Sequence, residues 1–469
     1  MLSNPDGEGG MHNPAFAARQ ERSVLVTLVL GLAIFLVPFD VTVVVVALPG
    51  IAKNLDFSVD SAAWVIDAYS LAFTGALLVA GALADRFGRR RSMLAGNAVF
   101  LVASIACGLA PSGQMLLAAR ALQGVGAAFL VTGALALIAG TFPNPEQRAR
   151  AFGTVGVVSG IAMALGPTLG GLFASWLGWR WIFYANIPFC VALALAVPRL
   201  ITETSDPNGR PLDLLGVALL TMALGLAIDA LLRRDGSLAL RLSCLAGSAA
   251  VALLFVFQQW RRPHPVLDPR VFATPAMIAA GALLTAIQFG YWALLVYLPL
   301  FLSAGLSTRT EVVGIVLLVA TLPMLLVPLA GGRFVTDWGW RRFFAVAFGI
   351  MIAGDGLLVL AALATDPVTR LAMTIAGMLA IGIGAALANP QISGVALALA
   401  PPAHAGMTSA MTLVVRQAGF SISVAVLGAS LGTTDMAGSF VAPFALAAGI
   451  TLLTMIAALL LLPAMSGPK

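Results

Sequence analysis

Charge is scarce in this chain. Only 10% of its 469 residues are charged, and lysine occurs only at Lys53 and Lys469, whereas an ordinary soluble domain is about 25% charged. No G-x-x-x-x-G-K-[ST] loop occurs, which argues against an activity driven by nucleotide bound in such a loop. Cys107, Cys190 and Cys244 lie far apart inside apolar stretches, which argues against a disulfide framework or a thiolate metal site. His12, His264 and His404 fall in the tail or in loops. No apolar stretch carries paired His/Glu metal-ligand spacing or a serine with a histidine. A membrane-embedded enzyme is therefore the weakest reading, and no cofactor or metal is expected.

Apolar surface is abundant: 60% of residues are hydrophobic and the mean hydropathy is +0.99. A helix crossing about 30 Å of hydrocarbon needs roughly 20 apolar residues. The sequence offers fourteen such stretches, at 24–49, 61–84, 93–112, 114–142, 151–174, 182–198, 212–231, 242–259, 276–303, 311–332, 343–364, 371–398, 407–430 and 440–463. The expected fold is an all-α polytopic membrane protein whose short loops leave no room for a large catalytic domain. The polar segment Met1 to Arg22 reads as a disordered cytoplasmic tail, because the apolar run after it is too long for the core of a cleavable signal.

A net charge of +6 and a pI near 9.8 would suit a nucleic-acid binder, but the arginines gather in alternate loops. Arg86 to Arg91, Arg148, Arg150, Arg199, Arg261, Arg262, Arg341 and Arg342 fall on one side, against Lys53, Arg180, Arg233 and Arg309 on the other. That is the positive-inside signature, and it places both termini in the cytoplasm with no nucleic-acid partner. The segment GALADRFGRRR at 81–91 has a looser echo in GGRFVTDWGWRR at 331–342. Two like halves follow, as in transporters built from parallel repeats. Residues 23–199 and 263–463 form two six-helix bundles, residues 200–262 a linker with an inserted two-helix hairpin, and residues 464–469 a second tail.

Within the first of those segments, Gly81 and Gly88 allow a tight turn and close helix contact, and Asp85 sits where Arg86, Arg89 and Arg90 can hold it. Such a charge cluster latches helices in one conformation and releases them in another. On these residues the chain resembles the major facilitator superfamily, whose loop between helices 2 and 3 carries this glycine, aspartate and arginine pattern. LLAARALQGVGAA at 116–128, GPTLGG at 166–171 and WRWIFYANIP at 179–188 are similar to elements of its fourteen-helix drug:proton antiporter branch. The resemblance implies proton-coupled efflux through two bundles that rock about a central cavity. It also implies that the element at Gly166, Pro167, Gly170 and Gly171 seals the cavity against leak. The residues themselves suggest close packing at Gly166 and Gly170 and a bend at Pro167. In the first span, DVTVVVVALP at 40–49 is similar to that branch's motif but has Val45 where asparagine is usual.

Asp40, flanked by Phe39 and followed by four valines from Val43, should not stay charged in hydrocarbon without a partner, so it can load and unload a proton. Arg120 lies deep in the fourth span with Gln123 on nearly the same face, and its guanidinium cannot lose its charge. An Arg120 that approaches Asp40 in one conformation only would expel the proton there; a static bridge between two helices is the alternative. Trp64 and Asp67 share a face suited to an organic cation, unless Asp67 faces water at the interface. Gln288, Phe289, Tyr291, Trp292, Tyr297, Asn389, Gln391 and Arg416 are sparse polar and aromatic groups on apolar walls, as in a pocket for a bulky amphipathic solute. Asp355 falls on a helix expected to lie at the periphery, which counts against a substrate role. The expected activity is export of hydrophobic or amphipathic compounds in exchange for protons, by a monomer in the inner membrane. A proton-coupled importer of a small metabolite and a non-transporting sensor or scaffold are the rival readings.

Overall fold

The computed structural model describes residues 14–55, 59–142, 144–205, 213–232, 237–263, 265, 269–305, 310–399, 405–431 and 438–462. His12, His264, His404, Lys469, the tail at 464–469 and most of the linker before Asp213 lie outside them. Among the described residues every regular element is helical, as a lipid-embedded chain requires when water cannot satisfy its backbone. The helices are α1 Pro14–Asn54, α2 Val59–Phe87, α3 Arg89–Leu109, α4 Gly113–Thr141, α5 Pro145–Trp176, α6 Arg180–Tyr184, α7 Asn186–Leu200, α8 Leu214–Leu232 and α9 Leu238–Arg261. After them come α10 Pro269–Phe272, α11 Pro275–Ile287, α12 Ala293–Leu300, α13 Thr310–Thr321, α14 Pro323–Leu326, α15 Pro328–Leu363, α16 Pro367–Leu399, α17 Ala405–Ala429 and α18 Val441–Leu461. Short π-helical turns at Gln288–Trp292 and Phe301–Gly305 flank α12.

Twelve of the described helical stretches are long and apolar enough to cross a membrane, and α2 makes thirteen when its 45° bend between Ala63–Leu77 and Val79–Phe87 is read as one broken span. The sequence pattern suggests fourteen. The stretch expected at 311–332 is the difference: Pro323 and Pro328 start new helices after α13 and α14, which leaves only the shorter apolar run Val312–Leu326. The first helix also reaches back to Pro14, into the segment expected to be a disordered tail.

The two echoing segments adopt the same backbone device. Gly88 has φ 108° between α2 and α3, and Gly339 has φ 73° inside α15, both in the left-handed region that disfavours a side chain. Two residues beyond each glycine stands an arginine: Arg90 Nη1 donates to the Ile201 carbonyl at 3.1 Å, and Arg341 Nε to the Leu462 carbonyl at 2.8 Å. Ile201 and Leu462 are the residues that cap the C-terminal ends of α7 and α18. Cations there meet the negative ends of helix dipoles. A matching close approach follows in each region. A β-carbon on Gly126 would lie 2.9 Å from the Gly96 carbonyl and 2.6 Å from the Phe100 nitrogen, and one on Gly384 would lie 2.5 Å from the Ala347 carbonyl and 2.9 Å from the Met351 nitrogen.

Helices α8 and α9 pair with each other, and α8 also packs on α2 and α17. Asp213 anchors this pair. It is buried, accepts from Gly216 N at 2.9 Å and Gln259 Nε2 at 2.7 Å, and is ion-paired to Arg262 at 3.0 Å. One face of α9 is studded with exposed Leu238, Leu242, Leu253 and Phe257, as a helix facing lipid requires.

Candidate functional site

Helices α1, α4 and α7 converge on a buried polar cluster. Asp40 Oδ2 accepts from Arg120 Nη1 at 2.6 Å, and both side chains have no solvent exposure. Asp40 Oδ1 accepts from Gln123 Nε2 at 2.9 Å and from Asn186 Nδ2 at 2.8 Å. Arg120 also donates through Nε to the Val65 carbonyl at 3.0 Å and through Nη1 to Gln123 Oε1 at 2.7 Å, and its guanidinium lies 4.4 Å from the centre of the Tyr69 ring. Gln123 Nε2 bonds Ser104 Oγ on α3 at 2.9 Å. The arrangement brings Asp40, Arg120 and Gln123 together. Asn186, Ser104 and Tyr69 join them, although sequence reasoning had not singled them out. Asn186 could have been noticed as an amide in the apolar run 182–198, since intramembrane polar groups are costly without partners.

Small residues let these helices approach closely enough. A β-carbon on Gly124 would lie 2.2 Å from the Tyr69 carbonyl, and one on Gly166 only 1.9 Å from Thr42 Oγ1. Gly170 likewise sits against the Val43 carbonyl, at 2.7 Å. The element at 166–171 therefore has one face on α1. Its other face meets α13: Thr168 Oγ1 donates to the Gly314 carbonyl at 3.1 Å, and a β-carbon on Gly314 would lie 2.7 Å from the Pro167 carbonyl and 3.3 Å from Gly171 Cα. Pro167 lies inside the continuous helix α5. A pocket of about 380 Å³ opens beside this contact, lined by Val46, Pro49, Lys53, Trp179, Pro299 and Val313.

A second polar cluster joins α16, α17 and the first π-turn. Arg416 donates to Asn389 Oδ1 and, at 3.1 Å, to Ser393 Oγ, while Gln288 Nε2 donates to the Arg416 carbonyl. Gln288, Asn389 and Arg416 are thus assembled as neighbours. Tyr291 and Tyr297 are not free to line a cavity, because both are buried and their hydroxyls donate to the carbonyls of Ala320 at 3.2 Å and Val424 at 2.5 Å. Phe289 is buried as well, and Trp292 stands edge-on to Tyr291 at 5.2 Å. Phe39 is also a core residue here, stacked on Phe35 at 5.1 Å and edge-on to Phe189 at 5.9 Å.

Asp67 is fully buried, so it does not face water at an interface, and among the described residues neither of its oxygens has a hydrogen-bond partner. Trp64 beside it is half-buried against the main apolar core. Asp355 on α15 shares the condition of Asp67, with no exposure and both oxygens unpartnered among the described residues.

At the Gly88 turn, Asp85 accepts from Arg89 Nε at 3.0 Å and Nη2 at 2.9 Å. Glu203, beyond the end of α7, straddles the start of α3, accepting from Arg90 N at 2.9 Å and Arg91 N at 3.1 Å. This acid was not among the expected residues, because its loop position reads as ordinary polarity. Arg86 is exposed, 5.5 Å from the Phe87 ring centre, and is not among the residues bonded to Asp85 or Glu203. Gly81 does not serve a close contact, since nothing lies within 4 Å of a β-carbon built there.

A family model described as the Major Facilitator Superfamily matches residues 30–424. Multidrug resistance protein Stp of Mycobacterium tuberculosis (strain CDC 1551 / Oshkosh) is 32% identical over 414 residues, which are 87% of this chain and 76% of that protein. Puromycin resistance protein pur8 of Streptomyces alboniger is 33% identical over 408 residues, covering 85% of this chain and 80% of that one. Among solved structures, that of a D-xylose-proton symporter superposes with a TM-score of 0.68 at 14% identity, over 95% of this chain and 99% of that chain.

Proposed function

The chain belongs to the major facilitator superfamily, and from that premise we propose that it exports hydrophobic or amphipathic compounds by proton antiport, with Asp40 as the proton carrier and Arg120 as the charge that competes with the proton. One observation carries the reading: an aspartate and an arginine with no solvent exposure are paired at 2.6 Å between α1 and α4. The names of relatives that confer multidrug and puromycin resistance support efflux as the direction.

In this conformation Asp40 is an acceptor on both oxygens, and Arg120, Gln123 and Asn186 are its donors. A proton bound at Oδ2 would take the place of the Arg120 contact. Arg120 would then keep the Val65 carbonyl and the Tyr69 ring, which belong to α2, so α4 stays tied to α2 while α1 is released. Release of the proton restores the pair. One proton entering down about 100 mV is worth about 2.3 kcal/mol, and one pH unit adds about 1.4 kcal/mol. Coupled one to one, that sustains a gradient of several hundredfold for a neutral solute.

The rest of the reading follows the same frame. The repeated glycine turns and arginine caps support two six-helix bundles, 23–199 and 263–463, with α8 and α9 as an inserted hairpin, and a fourteen-span count if α2 and Val312–Leu326 each cross. The arginine-rich Gly88 and Gly339 ends would face the cytoplasm, with the protein working as a monomer in the plasma membrane. The Asp85, Arg89 and Glu203 contacts would latch the cytoplasmic side, and the α5 contact with α13 would seal the cavity. The solute would meet Trp64, Asp67, Gln288, Trp292, Asn389 and Arg416 when the bundles part. The test is reconstitution in liposomes with an imposed pH gradient and a panel of cationic, neutral and anionic compounds. Asp40→Asn should abolish uphill export while leaving downhill exchange, and Arg120→Gln should flatten the pH dependence. Uphill pumping by Asp40→Asn would end the mechanism, and uptake driven by the same gradient would favour the importer.

A further inference from the structure

A buried carboxyl outside the Asp40 cluster has no role in this mechanism, and its position in the repeat explains what it can do. Asp355 stands at the same sequence distance beyond Gly339 as Ser104 stands beyond Gly88. The correspondence is anchored in space by Gly126 against Gly96 and Phe100, and by Gly384 against Ala347 and Met351. In the first region Ser104 bonds Gln123, which together with Arg120 and Asn186 holds Asp40. The same registers place Met378 where Arg120 stands and Ile381 where Gln123 stands. The matched ends of α7 and α18 place Ala447 where Asn186 stands. All three replacements are apolar and fully buried.

Asp355 therefore occupies the counterpart of the polar cluster with its polar partners removed. The helices packed on α15 supply no charge to it. On α16 the sole titratable residue is Arg370, at the far end and bonded to the Ala364 carbonyl at 2.9 Å. Neither α14, α18 nor the turn Gly438–Phe440 contains a titratable residue. The first π-turn offers Tyr291, whose hydroxyl is committed to the Ala320 carbonyl. That turn is close, since a β-carbon on Gly290 would lie 2.7 Å from Met351 Cε, one helical turn below Asp355. A charged carboxylate in such a setting is too costly to persist. The neutral acid also retains an unmet hydrogen-bonding capacity on both oxygens.

We propose that Asp355 is a second proton-binding site, in the C-terminal bundle, which holds its proton in this conformation and exchanges it when that bundle opens to water. The site rests on the transporter reading only for the opening motion; proton occupancy follows from the burial itself. Two carboxyls would then differ in setting, with Asp40 paired to its arginine and Asp355 holding its proton among apolar side chains.

The experiment is infrared spectroscopy of the protein in liposomes in H2O and after transfer to D2O, comparing the native chain with Asp355→Asn, Asp355→Ser and Asp40→Asn. The native spectrum should contain the carbonyl stretch of a protonated carboxylic acid that disappears in both Asp355 variants and persists in Asp40→Asn. The band should shift over minutes in D2O as opening admits solvent. Absence of any carbonyl band that depends on Asp355 overturns the proposal, and so does a band that never exchanges. The serine variant, which reproduces the residue at the matching position, guards against misfolding of the amide. Because no transported compound is needed, failure here is distinct from failure of Asp40 coupling, which the transport assay reads.

Discussion

Gly166 shows how little room the site leaves for a single atom. With Thr42 Oγ1 at 1.9 Å and Thr42 Cβ at 2.8 Å from a β-carbon there, Gly166→Ala must push α5 off α1. Overpacking of this kind costs about 1–3 kcal/mol. Thermal unfolding in detergent should show the loss, and Thr42→Gly in the same chain should recover most of it. Asn186→Leu is a different case, because it removes a donor from Asp40 while filling the space. Loss of one hydrogen bond to a buried charge costs about 1.5–3 kcal/mol, so the melting temperature should fall, while combination with Asp40→Asn should add much less than the single effect. Additive losses would mean that the two side chains are not coupled. Asp40 and Arg120 were legible one by one as charges inside apolar runs. Asn186 and Ser104 were not, since their importance comes from whom they touch across helices.

At the scale of the element, the Gly88 turn depends on a backbone conformation and on an acid from elsewhere. Gly88→Ala would place a β-carbon at φ 108° and 2.7 Å from the Glu203 carboxyl, so it should destabilise the turn by more than a surface change does. Glu203→Gln keeps the shape but removes the negative charge shared by the amides of Arg90 and Arg91. Hydrogen exchange at those amides should quicken in that variant, with α3 otherwise unchanged. A second end behaves similarly in the exposed loop before α16. Asp366 accepts from the Thr369 hydroxyl at 2.6 Å and amide at 2.8 Å, and these bonds hold its carboxyl below the usual carboxylate range. A carboxyl lowered in the folded state stabilises above its unfolded value, and that contribution fades as pH falls through the lowered one. The Thr369 amide should therefore exchange slowly at neutral pH and lose its protection under acid conditions, earlier in Thr369→Ala.

For the whole molecule, small residues bring α5 and α13 into backbone contact. Gly314 meets Pro167 and Gly171 with no side chain between them, and Gly382 brings α16 to the Ala320 carbonyl at 2.4 Å from where a β-carbon would be. Gly314→Leu should wedge this contact open. In liposomes the variant should leak protons without added compound, and steady-state export gradients should fall at least tenfold; an unaltered proton leak would remove the sealing role from the α5 element.

Composition and the spacing of arginines were enough to decide a helical membrane protein, because apolar runs of spanning length have no other stable fold in lipid. The tight turn at Gly88 and the echo of its segment at 331–342 were likewise readable, since turn chemistry is local, while the positive φ at Gly339 came from the structure. Proline set the limit of that legibility, as Pro323 and Pro328 divided a run that hydropathy alone counted as whole. Only tertiary structure decided that Asp40 meets Arg120, that Tyr291 and Phe39 serve the core, and that Gly81 touches nothing. It also decided that Asp355, like Asp67, is fully buried with neither oxygen partnered among the described residues. Burial and partnership are properties of helices brought together in space, and a hydropathy pattern records each helix as though it stood alone.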